Sequence, residues 1–266
     1  TKVGTELLGR LANLKLISQR SVYPHVDVPA CTAHGVLLCS NMHSDTPSYA
    51  AAEHTLALIL ASYRQIPHQA TSIKAGRWQS GVGRTLRGKT LGLYGYGRIA
   101  GAVAGYAKAM GLKVLWWGSA AGRARAASAG ETVAVSREAF FRQSDIVSLH
   151  VRLKPETRGL ITAEDLGQMQ PRALFVNTSR SGLVAPGVSE AEIAKGQLHA
   201  AVDVFDQEPL LDRENILLTH PNVLATPHIG FVTEDEFDMQ FSDIFDQINA
   251  YAAGAPIHMI NSEAYH

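Results

Sequence analysis

Cysteine is nearly absent from this 266-residue chain. Cys31 and Cys39 are the only two, and without clustered histidines they fit neither a disulfide framework nor a zinc site. A charge excess is missing as well. With 24 basic residues against 24 acidic ones, no net field draws the chain toward nucleic acid or an anionic membrane. No apolar run approaches the roughly 20 residues that span a bilayer, and the front of the chain carries no signal-peptide pattern. These absences predict a cytoplasmic protein with no nucleic-acid, membrane or metal partner. What is present, 46% hydrophobic and 18% charged residues, is the balance of an ordinary globular protein long enough for two modest domains.

Short apolar runs alternate with amphipathic stretches from end to end, the signature of a parallel sheet covered by helices. Strands are predicted over 14–18, 36–40, 90–94, 113–117, 146–150, 174–177, 199–202 and 223–225. Several are apolar throughout, as strands buried on both faces should be. Helices are predicted over 48–64, 99–109, 136–143, 189–195 and 234–252, and a helix-like stretch covers 6–11. The Ala/Gly/Arg-rich patch at 120–130 reads as low complexity. Boundaries fall in the polar, proline-containing stretch 42–47 and at 230–233. A dinucleotide-binding domain over 46–232 would then interrupt a smaller domain made of 1–45 and 233–266, with a cleft where the chain crosses twice.

One strand runs straight into a glycine turn, Gly95-Tyr96-Gly97-Arg98-Ile99-Ala100, and a helix follows. A G-x-G-x-x-G/A turn in that context binds a dinucleotide for steric reasons. Gly95 permits the tight turn, Gly97 lets backbone approach the pyrophosphate, and small Ala100 lets helix and strand pack closely. The anion then sits at a helix N-terminus, where free N–H groups and the dipole favour it. NAD sites usually carry an acid about 20 residues downstream to hold the ribose 2′-hydroxyl. Here the next strand ends in Gly118-Ser119, Arg123 and Arg125 follow, and no carboxylate occurs before Glu131. That pattern suits a 2′-phosphate, so NADP is favoured over NAD; solvation of a helix face is the alternative use of the two arginines.

Three later segments place polar residues just past an apolar strand, where open α/β sheets bind ligands. They read Asn177-Thr178-Ser179-Arg180, then Asp203-Val204-Phe205-Asp206-Gln207-Glu208-Pro209, then Thr226-Pro227-His228-Ile229-Gly230. Together with the glycine turn, Gly76-Arg77-Trp78, the run 86–92, Ser148-Leu149-His150 and Glu156-Thr157-Arg158-Gly159, this ordered set resembles the D-isomer-specific 2-hydroxyacid dehydrogenases over nearly the whole chain. The resemblance implies a Rossmann-type doubly wound sheet plus a smaller, discontinuous flavodoxin-like substrate domain that lacks its front. It implies hydride transfer between NAD(P)H and a 2-keto or D-2-hydroxy acid, in a homodimer that the long helix over 48–64 could serve.

Roles follow from the resemblance position by position. His228 would exchange a proton with the substrate 2-oxygen, and Glu208 would orient its ring and raise its pKa. Arg180 would bind the substrate carboxylate, a task suited to a planar, permanently charged fork. Asp203 would accept from the nicotinamide carboxamide. Thr178, Ser179, His150, the stretch 151–157 (Val151, Arg152 and Thr157 among it) and the stretch from His228 to Phe231 would line the cofactor. Relatives place a glycine-rich run after the first strand, whereas this chain has Arg20-Ser21-Val22-Tyr23-Pro24-His25; Arg20, Ser21 and Tyr23 are therefore expected to face an unusual substrate. Arg152 stands where many relatives have proline. A formate-dehydrogenase relative would pair its histidine with glutamine rather than Glu208. Ser179 and Ser181 have no base at a recognisable spacing for serine hydrolysis. The alternative of a different class is a non-enzymatic NAD(H)-binding co-regulator or sensor on the same fold, which has no need of Arg180, Glu208 and His228 together.

Overall fold

The computed structural model describes residues 2–42 and 49–265. The chain divides into two compact units, Thr1–Pro47 with Val232–His266, and Ser48–Phe231. In chain order the elements are α1 (Thr5–Gly9), β1 (Leu16–Arg20), α2 (Val28–Ala33), β2 (Leu37–Asn41), α3 (Tyr49–Arg64), α4 (Ile66–Lys74), β3 (Thr90–Tyr94), α5 (Arg98–Ala109) and β4 (Lys113–Trp117). They continue with α6 (Ala120–Ser128), α7 (Arg137–Gln143), β5 (Ile146–Leu149), α8 (Ala163–Gly167), β6 (Leu174–Asn177), α9 (Val188–Ala194), β7 (His199–Val202), α10 (Ile216–Thr219), β8 (Val223–Ala225) and α11 (Glu234–Ala252). Ser48 and most of the expected linker 42–47 lie outside the described residues.

The larger unit is built on a six-stranded sheet of order β4-β3-β5-β6-β7-β8, every pair parallel. Strands β5 and β6 are buried along their whole length, which is why they read as unbroken apolar runs rather than alternating ones. Beyond β4 a seventh strand is reduced to a single parallel bridge between Trp116 and Val133. The chain leaves β3 for β4 and comes back across β3 to reach β5, so the order reverses between β3 and β5. In a doubly wound sheet that switch point opens a crevice at the strand carboxyl ends. One apolar cluster (Leu58, Ile59, Tyr63, Leu91, Leu93, Val103, Trp116) joins α3 and α5 to the sheet, and another (Phe140, Phe141, Val147, Phe175, Leu183) fills the opposite side.

The smaller unit pairs β1 with β2 in parallel and packs α11 on β1. Its core holds Leu8, Val26, Ala30, Cys31, Val36 and Leu38. Asn261 ties the C-terminal segment in, accepting from the Leu38 N–H at 2.7 Å and donating to Val36 O at 3.0 Å. Burial pushes the Cys31 and Cys39 thiols up, so both stay protonated and unreactive.

Within the low-complexity patch at 120–130, Ser119 Oγ accepts from the Gly122 N–H at 3.2 Å and starts α6, whose alanines are the best helix formers. One expectation on local structure needs correction. The first strand begins at Leu16 rather than 14, because a turn closes with Leu14 N–H donating to Leu11 O at 2.9 Å. Helices α2, α4, α8 and α10 were too short or too weakly patterned to be read; α2 and α8 are set by the N-caps Asp27 and Thr162.

Candidate active site

The glycine turn follows β3 at the switch point. Gly95 has φ +113°, a conformation L side chains rarely adopt, and a Cβ there would strike the carbonyl carbon of His150 at 2.8 Å and Val151 Cγ2 at 3.1 Å. Its N–H donates to Trp117 O at 2.8 Å, so β3, β4 and β5 close in on this one residue. Gly97 is different. It is the N-cap of α5, no side chain caps that helix, and a Cβ on it would meet nothing within 4 Å. An open backbone face therefore borders an uncapped helix N-terminus, the arrangement that receives a phosphate. Ala100 is fully buried against the sheet.

The end of β4 contributes Gly118, whose own Cβ would lie 3.4 Å from Gly95 Cα. Ser119 spends its hydroxyl on the α6 cap. Arg123 stacks over the Trp117 ring at 4.1 Å, and Arg125 donates to Tyr96 O at 2.9 Å while Tyr96 packs edge-on to Trp116. Glu131, the nearest downstream carboxylate, is taken: it accepts from Lys108 Nζ at 2.5 Å and Trp116 Nε1 at 3.0 Å. At the end of β5, burial pushes the His150 imidazole down to about 4, so it is neutral at ordinary pH and bonded to Ser148 Oγ at 2.9 Å. It forms a wall beside the turn. Thr157 folds its own loop, donating to Arg152 O at 2.7 Å and accepting from the Lys154 N–H at 2.8 Å.

Past β6, buried Asn177 shapes the next segment. Its Oδ1 accepts from the Ser179 N–H at 3.1 Å and its Nδ2 donates to Arg180 O at 3.0 Å. Ser179 Oγ donates to Leu149 O at 2.7 Å, and Thr178 meets Thr55 of α3 at 2.8 Å. These bonds leave the exposed Arg180 guanidinium with a local bond to Ser179 O at 2.6 Å, one a carboxylate ligand can replace.

Past β8, His228 Nδ1 lies 2.6 Å from Glu208 Oε2. The other carboxylate oxygen accepts from the Phe205 N–H at 3.0 Å, so Glu208 is fixed at both ends. With Nδ1–H donating to a carboxylate, Nε2 is the ring nitrogen left to exchange a proton. The pair is neither sealed nor fully wet, with side chains 29% and 37% exposed. His228 also has φ +56°, uncommon for a residue with a side chain, and stacks edge-on to Phe231 at 5.5 Å.

Residues 56–230 match the family model described as D-isomer specific 2-hydroxyacid dehydrogenase, NAD binding domain. The chain belongs to that family. Among its relatives, D-3-phosphoglycerate dehydrogenase of Synechocystis sp. is 37% identical over 260 residues, covering 96% of this chain and 46% of that protein. Glyoxylate reductase of Thermococcus litoralis is 32% identical over 280 residues, 98% of this chain and 81% of that one. A solved structure of a phosphoglycerate oxidoreductase from Vibrio cholerae superposes with TM-score 0.90 at 40% identity, covering 96% of this chain and 82% of that chain. The chain thus spans about half the length of the curated D-3-phosphoglycerate dehydrogenases it matches.

The three residues expected to face a substrate, Arg20, Ser21 and Tyr23, all lie in the smaller unit. Arg20 is bound to α11: Nε lies 2.5 Å from Asp243 and Nη1 3.7 Å from Glu236, and its side chain is only 9% exposed. Opposite charges at the end of β1 and along α11 capture it in an internal ion pair. Tyr23 leans on the apolar core of its own unit. Ser21 is exposed, but its importance is in the backbone. Its φ is +72°, the left-handed conformation that glycine adopts most easily, and its carbonyl accepts from Ser40 Oγ at 2.7 Å.

Asp203 sits among donors of its own unit. Its carboxylate is 1% exposed and occupied. Oδ1 accepts from Thr226 Oγ1 at 2.6 Å and the Ile229 N–H at 2.9 Å, and Oδ2 accepts from the Gly230 N–H at 2.9 Å. Burial alone would push its pKa up, but these donors and His54 together hold it below the usual range. The carboxylate thus clamps the segment carrying His228. His54 and Thr226 were not singled out from the sequence. The available signal was a lone histidine inside the apolar run of α3.

Proposed function

We propose that this chain is the nucleotide-binding and proton-exchanging part of an oxidoreductase that interconverts a 2-keto acid and a D-2-hydroxy acid with NAD(P)H, favouring NADP(H), as a cytoplasmic homodimer. The single observation that carries the reading is the His228–Glu208 pair at 2.6 Å, on the same sheet as a glycine turn shaped for a pyrophosphate. A co-regulator that only senses nicotinamide has no use for a histidine so oriented.

The residues present fit a dinucleotide: the uncapped α5 N-terminus and open Gly97 face would hold the pyrophosphate beside Gly95, Tyr96, Arg98 and Ile99. The chemistry supplied by a bound nicotinamide is hydride transfer to or from substrate C2. During reduction, His228 Nε2 gives its proton to the 2-oxygen as that oxygen gains charge, and in oxidation it takes the proton back. Glu208 holds the ring and stabilises the imidazolium through Nδ1–H. Arg180 takes the substrate carboxylate bidentately, leaving Ser179 O. Arg123 and Arg125 follow Ser119 with no carboxylate before Glu131, which is itself bonded to Lys108 and Trp116, and this favours a 2′-phosphate over a 2′-hydroxyl.

The test is a screen of 2-keto acids with NADPH and NADH, following loss of the reduced nicotinamide. Turnover by the native sequence, lowered roughly a hundred- to ten-thousand-fold in His228→Ala, is expected. Equal turnover by the variant would refute the assignment of His228, and a clear NADH preference would refute the cofactor preference.

A further inference from the structure

His54 projects from the second turn of α3, which packs on β6 and β7 within the larger unit. Its Nε2 lies 3.1 Å from Thr226 Oγ1 and 3.3 Å from Asp203 Oδ1, with the ring 17% exposed. The Thr226 hydroxyl has one proton, and that proton goes to Asp203 at 2.6 Å. Facing a hydroxyl lone pair and a carboxylate oxygen, Nε2 must itself carry a proton and donate to both. The Asp203 carboxylate in turn receives the Ile229 and Gly230 N–H groups at 2.9 Å each. A Cβ on Gly230 would meet Asp203 Oδ2 at 3.1 Å and His54 Cδ2 at 3.4 Å, so the ring closes against this backbone as well. Thr226, Ile229 and Gly230 bracket His228, whose φ of +56° has to be held by its surroundings.

We propose that His54 is a positioning residue: by donating from Nε2 to Asp203 and Thr226 it locks the segment 226–230, and so sets the direction in which His228 presents its Nε2. The catalytic half of the statement rests on the function proposed above; the structural half does not. Removing the ring leaves Asp203 buried with one donor fewer, and the turn is free to relax. A ring displaced by a fraction of its own width no longer meets the substrate oxygen, while cofactor binding at the glycine turn is untouched.

The test compares His54→Ala and His54→Gln with the native sequence, in the whole chain, by site-resolved amide exchange and by kinetics. In His54→Ala, exchange at Ile229 and Gly230 is expected to accelerate about tenfold while exchange in β5 and β6 is unchanged. With a 2-keto acid that turns over, kcat is expected to fall about tenfold or more. His54→Gln, which keeps an N–H donor at similar reach, is expected to restore most of both. Unchanged exchange at both amides in His54→Ala overturns the proposal. So does an equal loss in both variants spread over the whole unit, because that is a packing role. If no 2-keto acid is turned over by the native chain, the functional reading fails, and the exchange data still decide the positioning role.

Discussion

Gly95 and Gly97 stand two residues apart in one motif, yet the structure assigns them opposite sensitivities. At Gly95 a methyl group meets His150 backbone at 2.8 Å and the φ of +113° is hostile to any side chain. A left-handed backbone costs about 1–2 kcal/mol and overpacking against a fixed neighbour about 1–3 kcal/mol, so Gly95→Ala should destabilise the larger unit by about 3 kcal/mol. In a domain of this size that lowers the melting temperature by about 6–12 °C. Gly97 has ordinary extended backbone, φ −129°, and open space around a Cβ. Gly97→Ala should therefore melt like the native protein. Its methyl group instead fills the face that a pyrophosphate needs, and about 1–3 kcal/mol of overpacking in the complex weakens NADPH binding about fivefold to a hundredfold. The assays are thermal denaturation without ligand and titration with NADPH. Two results would refute the reasoning: a Gly95→Ala protein as stable as the native one, or a Gly97→Ala protein that binds NADPH normally.

Three further outcomes are expected. The unfolded chain takes up a proton on His150 near pH 6.5 that the folded chain refuses until about 4, so stability falls as pH drops through that window, by at most about 3 kcal/mol because the residue keeps some solvent exposure. Denaturant melts of His150→Asn should lose that portion of the slope, and an unchanged slope counts against a neutral His150. Ser21→Gly should stabilise the smaller unit by about 1 kcal/mol by relieving the positive φ, read from the urea midpoint; a destabilised variant would mean the hydroxyl matters more than the backbone. Arg20→Met removes the guanidinium from two partly buried carboxylates on α11, leaving Asp243 only its bond from Asn41, and should cost about 3 kcal/mol, whereas a stable Arg20→Met protein with a raised KM for its 2-keto acid would favour a role of Arg20 at the substrate.

Much of the larger unit was legible because its strands are buried on both faces. A run such as Leu174–Asn177 or Lys113–Trp117 is apolar for the reason that helices cover it above and below, and the observed bounds coincide with those read from the pattern. Segments set by capping and sheltered by tertiary contacts were harder. The run at 120–128 is compositionally bland, and Ser119 alone marks where its helix begins. In the site, Glu208 and His228 were named through the resemblance of their motifs to the 2-hydroxyacid dehydrogenases, and the structure brings them to 2.6 Å.

The sequence by itself determined a doubly wound parallel sheet, a glycine turn after one of its central strands, and which short motifs end up at the strand carboxyl ends, because those properties are written in local apolar runs and in glycine's unique backbone range. The tertiary structure alone decided what each polar group there touches. Asp203 clamps a backbone segment 26 residues on, His54 reaches Thr226 across 172 residues, and Arg20 is held by a helix more than 200 residues away. A carboxylate or an imidazole has the same formula in any of these settings. Its partners exist only once distant strands and helices have packed, and it is the partners that set its charge, its direction and its work.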